Sequence, residues 1–433
     1  MDANRAAPLK RTLPLVALCV AVAFIGSAWQ AWDMFSGKGR SMLHGWDDSF
    51  YYFWLPSVVI DHDLDFSNQL TQTNSVDASA RDDALTMPRT ETGFVANKYP
   101  PGWALGSLPF FLVAHAFAPP GATGFEPRYQ LFVWGGQLLY VAAGLWLATR
   151  IVRRYFSPAI ADTAVLAGWL ASPLLYYQSA RLSMSHSQVF VLAVATFWIA
   201  LRIADGNARR RDWVLAGFFS AMLVVTRNIA VLYLAVPAWL LWPRLRSLQT
   251  AAALAAGAAG PLFLQVLSWR ILYGSWFAYS YGGERFDFSH LHLGEILFSP
   301  LHGWFYWHPL LLPAISAFVI WGVRRDVGRA WVVSLAVIVL LSAAWPTWWL
   351  GSSFGYRGLE VPTFFAMIGL AALFSRAAEH ALWRRLVAAA VATAILWNLA
   401  LFALFLTQRI PRQAPVTYVD AARALFLWLR PGG

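Results

Sequence analysis

The chain has 433 residues, of which 58% are hydrophobic and only 13% charged, with a mean hydropathy of +0.50. Soluble proteins carry about 25% charged residues, so this composition excludes an ordinary soluble domain. The net charge of +11 does not signal a nucleic-acid partner either. The basic residues form no patch; they sit in short clusters between apolar runs, at Arg150–Arg154, Arg209–Arg211, Arg244–Arg246, Arg324–Arg329 and Arg384–Arg385. That is the distribution of cytoplasmic loops in a membrane protein.

The first apolar run, Leu13–Trp29, stands behind Arg5, Lys10 and Arg11 and continues into Trp29 and Trp32. These bulky residues favour an uncleaved signal anchor over a cleavable signal peptide. The single cysteine, Cys19, lies inside this run, so disulfides play no part. With the N-terminus cytoplasmic, the long polar stretch Asp33–Tyr99 is external. The next apolar stretch, Trp103–Ala118, is framed by Pro100-Pro101-Gly102 and Pro119-Pro120-Gly121. If it crossed the bilayer, every arginine cluster would face outward, so it reads as an interfacial or re-entrant helix, the alternative being a short tilted crossing with a weak positive-inside signal. Later spans are expected at Tyr129–Thr149, Ala159–Tyr177, Gln188–Ile203, Trp213–Val225, Ile229–Trp242, Ala251–Leu272, Trp304–Val323, Trp331–Trp348, Val361–Phe374 and Leu386–Leu406. The fold class is thus an all-α polytopic membrane protein with about eleven transmembrane helices and an external C-terminus, read as one transmembrane domain over residues 1–433. Outside lie a first loop at 33–128 bearing interfacial helices, a second at 273–303, a third at Trp349–Glu360, and a tail from Ile410 in which Val416–Leu429 forms a short helix on the membrane.

Carboxylates are distributed unevenly. The first outer loop holds eleven, from Asp33 to Glu126, and the second adds Glu284, Asp287 and Glu295, while none falls near the middle of an expected crossing. Coupled transporters place ionisable groups at bilayer depth, so the pattern points instead to a site at the outer interface. The strongest local signal is Gly45-Trp46-Asp47-Asp48-Ser49-Phe50-Tyr51-Tyr52. One carboxylate of such a pair can act as general base on an acceptor hydroxyl or amine while aromatic faces hold a sugar or lipid. The same residues would also suit a polar turn and helix cap. Asp61-His62-Asp63-Leu64-Asp65 begins like a calcium loop but has Phe66 where a Gly is required and Gln72 at the closing Glu position, so it reads as a solvated loop. His290, His292, His302 and His308 read as interface histidines, and no metal site is assigned.

For a phosphate, the candidates are few. Lysine occurs at three positions, Lys10, Lys38 and Lys98. Lys98, held by the stiff Pro100-Pro101 turn on the outer side, is placed either for a lipid phosphate or for snorkelling at the interface. Arg357 follows the Gly-rich run Gly351-Ser352-Ser353-Phe354-Gly355-Tyr356, whose backbone N–H groups sit beside a fixed cation. Arg285 and Arg227 are weaker candidates. No Walker loop, dinucleotide fingerprint, zinc-protease motif or G-x-S-x-G elbow occurs.

In order along the chain, Asp47-Asp48-x-x-Tyr51, Lys98-Tyr99-Pro100-Pro101-Gly102, Tyr273-Gly274-Ser275, Leu297–Gly303, Trp307-His308-Pro309 and Ser353–Arg357 resemble the elements of the membrane-embedded C-type glycosyltransferases, the superfamily of protein O-mannosyltransferases and the lipid A aminoarabinose transferase. The resemblance implies transfer of a sugar from a polyprenyl-phosphate donor to a lipid, glycan or protein acceptor at the periplasmic face of a bacterial inner membrane, with inversion. It implies Asp47 as general base with Asp48 in support, Lys98 as the donor-phosphate contact with Arg357 and Arg285 as further ones, and Tyr51, Tyr99 and His302 at the substrate. Asp48 stands where relatives more often carry Glu, which leaves the use of a divalent metal open; no other cofactor is indicated. The large C-terminal soluble domain that some relatives use for acceptors is not found here, which leaves the acceptor open, and the Trp- and Tyr-rich loops fit sugars in general without singling one out. Other readings are a non-catalytic lipid-linked-sugar binder or flippase, and a surface-polysaccharide ligase or polymerase, although those enzymes place their large loop late in the chain.

Overall fold

The computed structural model describes residues 13–36, 41–43, 45–73, 78–206 and 208–430, and among them there is no strand. The helices in the first half of the chain are α1 (Leu13–Phe35), α2 (Trp46–Pro56), α3 (Ser67–Gln72), α4 (Ala78–Thr86), α5 (Gly102–Ala116), α6 (Pro127–Val152), α7 (Pro158–Leu170), α8 (Leu174–Tyr177), α9 (His186–Ala204) and α10 (Arg210–Thr226). The second half adds α11 (Ala235–Leu241), α12 (Leu248–Tyr273), α13 (Leu293–Phe298), α14 (Trp304–Trp307), α15 (Leu311–Gly322), α16 (Asp326–Ala343), α17 (Pro362–Ala377), α18 (Ala381–Leu406) and α19 (Tyr418–Leu429). Five of these, α6, α9, α12, α16 and α18, are long and apolar enough to cross a membrane unaided. The chain is therefore an all-α, multi-pass membrane protein. Apart from the first, which falls on the 23-residue α1, the other expected crossings fall on shorter or interrupted helices, and proline is a recurrent cause. Pro173 separates α7 from α8, Pro309 separates α14 from α15, and the stretch expected as one span at Ile229–Trp242 is a 3₁₀ helix, Asn228–Leu234, running into α11.

By its internal packing the chain divides into two compact units: Val20–Gly144 with Tyr177–Gly283, and Met1–Cys19 with Leu145–Tyr176 and Glu284–Gly433. In the first unit α10 and α12 lie against each other through glycines. A Cβ on Gly217 would overlap the Leu254 carbonyl, and one on Gly257 the Val214 carbonyl. Small residues allow such approach where lipid competes for apolar contacts. Helix α5, the stretch read as non-crossing, runs antiparallel to the first half of α6: Tyr140 hydroxyl donates to the Gly106 carbonyl at 2.7 Å, while Phe111 packs against Tyr129, the rings tilted, near the other end. It meets α10 at the backbone of Val225 and Thr226, where only glycine fits at position 102, and meets α9 at Gln188, in the first turn. The aromatic core of the segment between α1 and α6, including Phe50, Tyr52, Phe53, Trp54, Trp103 and Phe111, is buried between α2 and α5.

In the second unit α17 packs on α15, with Gly369 against the Ala314 carbonyl, and on α7, with Gly168 against Met367. Asn398 of α18 donates to the carbonyls of Leu170 and Ser172, satisfying groups released where α7 ends before Pro173. The tail helix expected at Val416–Leu429 is α19, begun by a Thr417–Asp420 capping box and anchored by Tyr418 stacking on Tyr306 at 4.4 Å.

Candidate active site

The acidic pair opens α2. Gly45 precedes it at φ +119°, a conformation that L side chains rarely adopt, and no side chain caps the helix. Asp47 and Asp48 both turn to residues of other elements. Asp48 is fully buried. Its Oδ2 lies 3.2 Å from Arg181 and accepts the Ser183 hydroxyl at 2.8 Å. Asp47, half-buried, accepts a 2.5 Å hydrogen bond from the Tyr99 hydroxyl. The adjacent carboxylates thus have unlike surroundings, one closed in an ion pair and the other left at a partly open position.

Tyr99 belongs to a clamped segment. Asn97 donates to the Phe50 carbonyl of α2 at 2.9 Å and accepts the Tyr99 backbone N–H at 3.0 Å. Trp54 of α2 donates to the Tyr99 carbonyl, Tyr273 at the end of α12 donates to the Asn97 carbonyl, and Ser280 donates to that of Lys98. The Lys98 ammonium lies 5.8 Å from the Tyr99 ring centroid and 5.5 Å from that of Tyr281, within cation–π range of both. Tyr99 is the common member: its hydroxyl holds Asp47 and its ring carries Lys98. Tyr51 lies alongside, 4.8 Å from the Tyr99 ring, its hydroxyl accepting from Ser185 at 3.3 Å. A small recess beside Lys98 is lined by Tyr99, Asn228, Gln265 and Trp269 among others.

The other named residues belong to the second unit. Arg357 is half-buried after a turn in which Leu350, Gly351 and Gly355 take positive φ; Arg285 is exposed. His302 is buried, with one ring nitrogen 2.9 Å from the Trp349 carbonyl and the other 3.1 Å from the Arg412 carbonyl. Burial lowers its pKa from the usual histidine range, against the pull of those two carbonyls and aided by the charge of Arg357. His302 thus stitches residues 349 and 412 together. Asp287 accepts from Ser289 and His290, bonds that lower its pKa to about 2. Asp61, Asp63 and Asp65 turn to nearby groups: Asn68 donates to Asp61, Ser57 to Asp63, and Ser67 to Asp65. Among the described residues, no three His, Cys, Asp or Glu side chains gather as a metal site.

Sequence reasoning missed Arg181, Ser183, Asn97 and Tyr281. A signal for Arg181 existed: Gln178-Ser179-Ala180-Arg181-Leu182-Ser183-Met184-Ser185-His186 is a polar linker between two apolar runs, on the carboxylate side of the expected topology.

A scan against protein-family models finds no match, and neither does a sequence search of curated proteins. Solved structures do match. This chain shares its fold with a solved membrane-protein structure. It is similar to ArnT, the lipid A aminoarabinose transferase, from Cupriavidus metallidurans in its apo state, at a TM-score of 0.50 and 13% identity over 96% of this chain and 75% of that one. ArnT from the same organism bound to undecaprenyl phosphate gives 0.47 at 14% identity over 97% and 76%. The Archaeoglobus fulgidus oligosaccharyltransferase in its apo form gives 0.48 at 13% over 95% and 56%.

Proposed function

We propose that this chain is an integral membrane glycosyltransferase of the bacterial inner membrane that moves a sugar from a polyprenyl-phosphate donor to an acceptor at the periplasmic face. The observation that carries the reading is the meeting of Asp47 and Lys98 on Tyr99. The fold shared with ArnT supports it, and the arginine clusters between apolar runs support the orientation. In this reading Asp47 takes the proton from an acceptor hydroxyl or amine as that atom attacks the anomeric carbon. The bond from that carbon to the phosphate oxygen breaks, and the phosphate leaves with the electron pair while Lys98 offsets its growing charge. One displacement without a covalent intermediate inverts the anomeric centre. Tyr99 sets the spacing of base and cation, and the aromatic faces of Tyr51, Tyr99 and Tyr281 suit a sugar ring.

Mass analysis of envelope glycolipids and glycoproteins from a deletion strain tests the reading and names the sugar. The wild-type gene should restore the missing sugar and Asp47→Asn should not. An Asp47→Asn chain that reaches the membrane at normal levels and restores normal amounts would show that the base is not Asp47.

A further inference from the structure

Neighbouring carboxylates raise each other's affinity for protons, because both cannot ionise freely at close range. A base at position 47 must nevertheless be ionised before the acceptor arrives. The charged and titratable groups around it come from several elements. Asp48 and Tyr51 stand on α2 itself, Lys98 and Tyr99 come from the segment before α5, and Arg181 comes from the linker between α8 and α9. On α5, packed along α2, the ionisable group His115 is at the far end, against Tyr129. Arg181 is 13% exposed and contacts a carboxylate that is fully buried, so solvent and salt screen this pair weakly. The same linker supplies Ser183 to Asp48 and Ser185 to Tyr51, so it grips the first turns of α2.

We infer that Arg181 is a positioning residue for the transfer: by fixing and neutralising Asp48, it sets the first turn of α2 and keeps Asp47 ionised. This rests on the reading of Asp47 as the base. The arrangement divides the acidic pair into a carboxylate held by a permanent counter-charge and one available to take a proton. A full positive charge a few ångströms from a carboxylate moves its titration by about 1–3 pH units.

The test reads the charge of Asp47 directly and needs neither donor nor acceptor. A water-soluble carbodiimide with glycinamide modifies protonated carboxyls. Peptide mass spectrometry of the full chain in detergent then gives the pH midpoint of labelling at Asp47. Arg181→Gln should raise that midpoint by about one unit, Asp48→Asn should lower it by a similar amount, and the double variant should return close to wild type. Arg181→Lys should hold it near the wild-type value. A midpoint that stays put in both single variants overturns the inference. If Arg181→Gln cannot be isolated folded, Asp48→Asn decides alone, and an unmoved midpoint there overturns it equally. A labelling failure beside an inactive Asp47→Asn removes only the role of Arg181, whereas an active Asp47→Asn removes the base assignment and leaves the labelling result standing.

Discussion

The segment between α1 and α6 carries two acidic runs of similar density. Asp47 and Asp48 are held from far along the chain, by Tyr99 at a separation of 52 residues and Ser183 at a separation of 135. Asp61, Asp63 and Asp65 bind groups within eight positions, apart from a half-exposed Arg89 at 3.6 Å from Asp65. The local run shapes its own turn and starts α3. The distant partners of the other run make it a place where separate elements converge, and convergence rather than carboxylate density marks a site.

The sharpest way to break this comparison is Asp47→Asn. Once the missing sugar identifies the donor, transfer in proteoliposomes should fall about 10³-fold, within the usual range for loss of a general base. Lys98→Ala should cost about 10²-fold, the scale for losing one group that stabilises a developing anion, with Lys98→Arg recovering part of it. Gly102→Ala forces a methyl against the backbone of Val225 and Thr226, so it should destabilise the chain by ~1–3 kcal/mol, read as a lower apparent Tm in detergent. Asp65→Asn should have the smallest effect, under ~1 kcal/mol of stability with transfer unchanged. Equal losses of transfer in Asp65→Asn and Asp47→Asn would erase the distinction between the two runs.

Much of the helical layout was legible because apolar runs report directly on membrane helices. Leu13–Trp29 lies within α1 and Leu386–Leu406 within α18. Interruptions were harder to foresee, since Pro173, Pro237 and Pro309 leave the apolar count of a window almost untouched while removing a backbone donor. In the site, Asp47 and Lys98 stood out because carboxylates and lysines are scarce in this chain and sit in ordered motifs. Arg181 did not, because in a chain this rich in arginine the residue type reads first as a topology marker. Its partner lies 133 positions away in sequence by residue number, a pairing that only tertiary structure supplies.

The clamped segment around Lys98 also constrains when this region can be completed during synthesis. Asp47, Tyr99 and Lys98 are made early, yet Arg181, Tyr273, Ser280 and Tyr281, which hold them, follow after several further membrane segments. Chains emerge from the ribosome N-terminus first, so the acidic pair waits for residue 181 and the lysine for residue 281 before either has its final neighbours. A nascent chain halted short of that point would carry the chemistry-bearing groups without the framework that aligns them.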